Sequence, residues 1–421
     1  MAEWRAGLCW DRMDSLGIYI SVPFCRAKCS YCNFASGVSS VSVHEQYVVR
    51  VCAAIRSARR RASGWGAAIP EQVDSIYLGG GTPSVLSPAL LRELAHTLRQ
   101  EFAIAPAAEI TLECAPGQLD DPALAAMLAF GVNRLSFGVQ SLVDREAAAT
   151  GRSHTRAVVL RDLERVRRAG LGNLSIDLIA GMPHQTSASW QESLEVLAAT
   201  GVEHASVYML EIDEDSRLGR ELLAGGLRYH ARTVPGEELT ADLYEAAIAS
   251  LEENGLSQYE ISNFARPAGD AQPSAGRQSR HNLKYWRRQP YLGFGLDAHS
   301  MLRTPHGAAL RFSTTAVLAE YLPSPASGEE QNAHRLSPSE ELEEAWFLGL
   351  RLCEGVKWQA LTEEFGPGRV GVFLPVVREL CELELLTGED GVFRLTRRGV
   401  LFSNEVFARF LGVAEEEPQV P

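Results

Sequence analysis

Ile18-Tyr19-Ile20-Ser21-Val22-Pro23-Phe24 runs directly into Cys25-Arg26-Ala27-Lys28-Cys29-Ser30-Tyr31-Cys32, so an apolar segment rich in β-branched residues delivers a C-x3-C-x2-C run of thiols into one loop. Thiolates select soft metals, and a loop this tight can wrap a [4Fe-4S] cubane by binding three of its four irons. The fourth iron then has no protein ligand and is open to a small molecule. Two plainer readings stand beside this one: cysteines that merely share a loop, and a zinc site completed by a distant residue such as His44. Zinc ligands usually come as paired couples, and no second couple follows downstream.

The spacing resembles the signature of radical S-adenosylmethionine (SAM) enzymes, in which the amino and carboxylate groups of the methionine moiety chelate the open iron. Cluster chemistry of that kind needs a low reduction potential, which negative thiolates favour.

The composition is compatible with this. A chain of 421 residues at 46% hydrophobic can bury a large core and build more than one domain. No apolar run is long enough to span a membrane, and Met1 to Asp14 lacks the apolar centre of a signal peptide, so the expected location is cytoplasmic. Peripheral membrane contact stays open. The net charge of -13 argues against a nucleic-acid partner held by general electrostatics. The basic runs Arg59-Arg60-Arg61 and Arg165 to Arg168 fall in helical patterns and read as solvated faces.

Working outward from the loop, the pattern predicts strands at Leu16–Val22, Val73–Leu78, Glu109–Cys114, Arg134–Val139, Leu174–Ile179 and Ala205–Leu210. Helical segments alternate with them, such as Pro88–Glu101 and Thr155–Ala169. Strands alternating with helices imply a parallel sheet. The expected fold is therefore α/β, a partial (β/α)6 TIM-type barrel, with a small C-terminal winged-helix-like α+β domain. The expected layout is a leader at 1–15, the barrel at 16–255, a barrel extension at 256–322, a linker at 323–340, the C-terminal domain at 341–412 and a disordered tail at 413–421.

In a barrel, function collects where strands end at their carboxyl side. The second predicted strand ends in Gly79-Gly80-Gly81-Thr82-Pro83-Ser84, the third in Glu113-Cys114-Ala115-Pro116 and the fourth in Gly138-Val139-Gln140-Ser141, while the fifth carries Asp177. Glycines after a strand let backbone groups approach a ligand, though they also make tight turns. Glu113 and Asp177 lie in apolar strands, where an unpaired carboxylate is costly, so each needs a hydrogen-bonding partner. Ribose hydroxyls would serve for Asp177; capping of a following helix is the alternative. Arg152 offers a fork-shaped donor for a carboxylate, or is simply a surface residue.

Beyond the barrel lie Gln258 to Ala265, then Arg280-His281-Asn282-Leu283-Lys284-Tyr285-Trp286, then Tyr291 to Ser300 with His299 near its end. Pro267 to Ser279 reads as a mobile loop. His281 beside Tyr285 and Trp286 could hold a flat ligand, since imidazole ligates haem iron and aromatic rings pack on a macrocycle. A hydrogen-bonded structural histidine explains the same residues.

Taken together these motifs resemble the oxygen-independent coproporphyrinogen III oxidase-like family of radical SAM proteins, over about Tyr19 to Leu411, and within it the haem-chaperone branch. The resemblance implies a cluster on Cys25, Cys29 and Cys32. It also implies SAM contacts at Tyr19, Gly80, Gly81, Thr82, Glu113, Gln140, Arg152 and Asp177. The oxidases look like C-x3-C-x2-C-x-C, and this chain has Phe34 where that last Cys would stand. The chaperone branch shares Phe there and has an H-N-x-x-Y-W stretch, matched by His281 to Trp286 and associated in the family with haem binding, so His281, Tyr285 and Trp286 become candidate haem residues.

Three positions depart from the family: Ser21 for His, Asn33 for Asp, and Ala115 for the Asn before Pro. The expected function is a haem chaperone that binds haem and a [4Fe-4S] cluster with SAM and transfers haem to an acceptor protein, with an electron donor for the cluster. The rival is a coproporphyrinogen III oxidase that decarboxylates propionate side chains. Phe34 and the short stretch ahead of Cys25 count against it.

Overall fold

The computed structural model describes residues 15–268, 277–323 and 330–413. The expected leader and tail lie almost wholly outside the described residues, as does much of the loop before Arg280. Six βα couplets follow in order: β1 (Ser15–Val22), α1 (Val41–Gly64), β2 (Gln72–Gly80), α2 (Pro88–Glu101), β3 (Ala103–Cys114), α3 (Asp121–Phe130) and β4 (Arg134–Gln140). The series continues with α4 (Asp144–Ala149), α5 (Arg156–Arg168), β5 (Leu174–Ala180), α6 (Ser187–Thr200), β6 (His204–Met209), α7 (Arg217–Leu223) and α8 (Glu237–Glu253). Strands β1 to β6 pair in sequence order, all parallel.

Local chemistry explains why the helix starts were legible. The Ser87 hydroxyl accepts from Leu90 N ahead of Pro88, and the Asp120 carboxylate accepts from Ala123 N ahead of Pro122. Both place a capping oxygen on an orphan N–H and a proline where no N–H is needed. Along β1, Ile18, Ile20 and Val22 are buried together with α1 residues such as Val48, Val51 and Ile55. Each such side chain contributes roughly 1.5–3 kcal/mol on burial. The alternate residues Tyr19 and Ser21 line a cavity instead, as the period-2 geometry of a barrel strand requires.

The sheet does not stop at six strands. β7 (Ser257–Glu260) and β8 (Asn263–Ala265) add to the β6 edge. After α9 (Arg280–Trp286), β9 (Tyr291–Phe294) pairs parallel with β1, and β10 (His299–Arg303) and β11 (Ala309–Thr314) continue that edge antiparallel. α10 (Leu318–Tyr321) follows, and β12 (Glu330–Arg335) closes the row. The expected linker at 323–340 is therefore corrected: its described part is an edge strand, and a helix begins at Pro338. The polar run Glu330 to Arg335 has no apolar alternation to announce it, because an edge strand is held by its backbone ladder.

The C-terminal domain comprises α11 (Pro338–Leu350), β13 (Val356–Lys357), α12 (Trp358–Phe365), α13 (Pro367–Gly371), α14 (Leu374–Glu382), β14 (Leu386–Glu389), β15 (Val392–Leu395), α15 (Arg397–Leu401) and α16 (Ser403–Ala408). Its core is centred on Trp346, fully buried and stacked on Phe410 at 5.0 Å. β14 and β15 form a hairpin around Gly388–Gly391. α15 and α16 are separated at Phe402 (φ -102°, ψ 28°). The domain docks through Arg303–Glu341 (2.8 Å), Arg288–Glu364 (2.7 Å) and Arg311–Glu344, and through the backbone bond from Ile261 N to Arg351 O.

Candidate cofactor site and the neighbouring cavity

The loop after β1 is held from several sides. Cys25 N donates to Gly37 O at 2.9 Å and Gly37 N to Pro23 O at 2.9 Å, which closes the loop on itself. Ser30 N donates to Thr150 O at 3.0 Å, and Leu218 N to Ser30 O at 2.8 Å, which tie it to the elements after β4 and β6. Asn33 Nδ2 reaches Asp213 Oδ2 at 2.8 Å, so the residue that departs from the family's Asp is a tether between two loops.

Beneath the loop lies the glycine triplet. Gly81 N donates to Val22 O and Thr82 N to Phe24 O, and a Cβ on Gly81 would stand 2.7 Å from Val22 O. Gly80 has φ +95° and its Cβ would meet Ser21 Oγ at 2.9 Å. Both glycines are thus required first by the close approach of β1 and the cysteine loop.

Cys25, Cys29, Cys32, Gly80, Gly81, Thr82, Glu113, Gln140, Arg152 and Asp177 all line one cavity of about 340 Å³ at the carboxyl ends of the strands. Thr82 Oγ1 donates to Cys25 Sγ at 3.6 Å, and Cys32 Sγ lies 3.8 Å from Ser36 Oγ. Burial raises the Cys25 thiol above its ordinary value, and the neighbouring Cys32 and Cys29 raise it further, against the hydroxyls of Thr82 and Ser36. Bound iron would reverse that balance. Among the described residues, no three metal-ligating side chains converge on a single-ion position. Three thiols on one cavity suit a cluster whose irons each take one thiolate. His44 is not among the lining residues; it bonds Ser39 Oγ at 3.0 Å and stacks on Phe24.

The polar lining is partly unsatisfied. The amide oxygens of Gln118 and Gln140 are buried without a hydrogen-bond partner, and Gln140 is held at φ +71° at the end of β4. Orphaned acceptors facing a cavity invite a donor-bearing ligand. Glu113 accepts from Tyr77 OH at 2.9 Å; burial, then the neighbouring Asp177, push its carboxyl up to about 7. Asp177 is also raised by burial, against Ser206 and Ser136, whose Oγ lies 3.0 Å from Oδ1. The expected need for partners is met by protein hydroxyls at Asp177, and a cation entering the cavity would favour the charged form of both carboxyls.

Arg152 is not on a helix; it lies between α4 and α5, behind the cysteine loop. Nη2 and Nε donate to Tyr31 OH at 2.8 and 3.2 Å. Burial alone would lower its guanidinium, but Tyr31 and the thiols of Cys29 and Cys25 outweigh burial and raise it.

Sequence reasoning passed over Tyr31, although it sits inside the cysteine run, and over Tyr208, Met209, Leu210 and Glu211 at the end of β6. The rule that singled out the other strand ends applied equally there.

A second cavity, of about 270 Å³, adjoins the first. It is lined by Tyr19, Ser21, Phe34, Ala35, Gly80, Tyr285, Tyr291, Leu296, Asp297 and His299. Gly80 and Phe34 line both cavities. Tyr19 therefore faces the second space, and of the three expected haem residues only Tyr285 does. His281 lines neither cavity. It is 1% exposed, with Nδ1 3.0 Å from Ser75 Oγ and Nε2 2.8 Å from Tyr285 OH, so both ring nitrogens are engaged. Burial, then Lys284, push it down to about 3, which keeps it neutral. α9 is fixed there by Lys284, whose Nζ lies 2.8 Å from Asp74 Oδ1 at the start of β2. Trp286 faces away, under Arg351 at 4.2 Å.

A Radical SAM superfamily model matches residues 19–197 and a HemN C-terminal domain model matches residues 336–402. "Heme chaperone HemW" of Bacillus subtilis is 33% identical over 94% of this chain and 98% of its own length. The protein of the same name from Synechocystis is 35% identical over 95% and 97%. The chain belongs to the HemW family. The solved Escherichia coli coproporphyrinogen III oxidase, HemN, superposes with a TM-score of 0.78 at 21% identity, covering 95% of this chain and 90% of that one, which shows a shared fold. The radical SAM family implies a [4Fe-4S] cluster and SAM, and the thiols, amides and carboxylates lining the thiol cavity are chemically suited to hold them.

Proposed function

We propose that the protein is a haem chaperone that carries a [4Fe-4S] cluster with SAM and hands haem to an acceptor protein. The observation that carries this reading is similarity along nearly the whole length of relatives named as haem chaperones. The geometry adds a second, aromatic-lined cavity beside the thiol cavity, with the Phe34 ring 62% exposed on their common rim.

Cys25, Cys29 and Cys32 would hold three irons. When bound, the cluster and SAM supply one-electron chemistry. The protein's part is to orient and shield: the acids Glu113 and Asp177 are set to ionise against the cationic part of SAM, Gln118 and Gln140 offer free acceptors, and Arg152 holds the loop through Tyr31. Among the described residues no helix is long and apolar enough to cross a membrane; we place the protein in the cytoplasm, where thiolates stay reduced. The acceptor and the electron donor are further partners of this reading.

The test is anaerobic. Reconstituted protein is titrated with haem by visible absorption, and coproporphyrinogen III turnover is assayed in the same preparation. Saturable haem binding without porphyrinogen product supports the chaperone. Product formed with SAM and a reductant would replace it with the oxidase.

A further inference from the structure

Haem iron is commonly held by a histidine nitrogen, so the haem-chaperone reading directs attention to an imidazole with a free lone pair beside a space that can take a flat apolar ligand. Among the described residues no histidine but His299 lines the second cavity. His281 and His204 each have both ring nitrogens bonded, the latter to Ser175 Oγ and Tyr259 OH. His44, His154 and His334 each bond through one ring nitrogen, to Ser39 Oγ, Val139 O and Glu340. His184 and His230 bond each other away from both cavities. His299 differs: it lines the second cavity and its side chain is 70% exposed.

We propose that the second cavity is the seat of the transported haem, with His299 as the ligand that donates its nitrogen lone pair to the iron. This rests on the chaperone reading.

Three observations carry it. First, the position of His299 is rigid. It opens β10 opposite Ser313 of β11, and the turn before it is held by Ala298 N on Thr314 Oγ1 (2.9 Å) and Asp297 N on Thr315 O (2.9 Å). A ligand on a sheet is better placed than one on a loop. Second, Asp297 Oδ1 lies 4.0 Å from His299 Nε2, close enough for a small rotation to give the carboxylate–imidazole pairing that orients a ligating histidine and makes it more basic. Nδ1 is then the ligating atom. Third, the walls suit a porphyrin face. Tyr285 and Tyr291 meet edge-on at 4.5 Å inside the cavity, and Phe34 stands exposed at its mouth.

At about 270 Å³ the space is at or below the lower end of small-molecule pockets, which run from roughly 300 to 1,000 Å³. It seats one edge of the macrocycle and leaves the rest outside, as suits a cargo meant to leave. The family-associated His281 then acts only through Tyr285, whose hydroxyl it holds.

The experiment titrates haem into the full chain as wild type, His299→Ala and His281→Ala, read by Soret absorption and by electron paramagnetic resonance of the ferric iron, with circular dichroism and iron–sulfur content confirming that each variant is folded. His299→Ala is expected to weaken haem at least tenfold and to change the iron's spectrum, with free imidazole restoring it. His281→Ala is expected to keep the wild-type spectrum. Wild-type-like titration of His299→Ala, or loss of the axial signal in His281→Ala alone, overturns the assignment. A wild type that takes up no haem overturns the chaperone reading itself.

Discussion

The two cavities share a rim and little else. The first is made by the ends of β1 to β6, and its walls are thiols, carboxylates and amides, two of them with orphaned oxygens. The second borrows only Tyr19, Ser21 and Gly80 from those strands, and its remaining walls come from the cysteine loop and from α9, β9 and the turn before β10. One barrel thus carries a cofactor site fixed by the βα repeat and a neighbouring space fixed by what was added to its edge. Chemistry and cargo can be altered separately if that division is real.

The strongest way to sharpen the contrast is Glu113→Gln. Glu113 sits at about 7 through burial and Asp177, so it is largely protonated below neutrality and ionised above it. SAM affinity should rise with pH through about 7 in the wild type. In the variant, affinity above that pH should fall by about 10- to 100-fold, the cost of one charge-assisted hydrogen bond, and the pH dependence should disappear. Haem titration should not change. The same shift has a sign for stability. Because the folded-state value is raised, the native protein binds the extra proton between the ordinary value of 4.5 and about 7, so wild-type stability falls as pH rises through that window. Urea unfolding at several pH values should show a flatter profile for Glu113→Gln.

A smaller effect is expected from Gly81→Ala. The new methyl would press on Val22 O and on the backbone of Phe24, costing about 1–2 kcal/mol of stability by overpacking. It should also lower cluster content, since the cysteine loop is what must shift. Thermal unfolding and iron analysis on the same sample would separate the two.

The smallest is Asn33→Asp, which restores the family residue but sets a carboxylate against Asp213 where Nδ2 now donates. Both groups lie at the surface end of the loop, so the loss should be small. A larger one would mean that the tether, rather than the thiols, positions the loop.

The sequence made the first cavity readable because a period-2 strand followed by a polar end is a local signal. Thr82, Glu113 and Gln140 stand where such a signal ends, and Asp177 interrupts the apolar run of β5. Arg152 was legible only as a fork-shaped donor, since its bond to Tyr31 spans two loops. The second cavity was harder to see. Tyr285 and His299 are separated by β9 and meet only because β9 pairs with β1. The surroundings of His281 were hidden for the same reason: Ser75, far away along the chain, bonds one of its nitrogens. β12 escaped notice because its sequence lacks apolar alternation; a backbone ladder pairs it with β11.

The division between the cavities is tested most directly by replacing Cys25, Cys29 and Cys32 together with serine and measuring haem affinity anaerobically beside the wild type. The account predicts that iron and sulfide fall to background while haem still binds, within about threefold of the wild-type Kd. Loss of haem binding together with the cluster, in a variant that remains folded by circular dichroism, would contradict it.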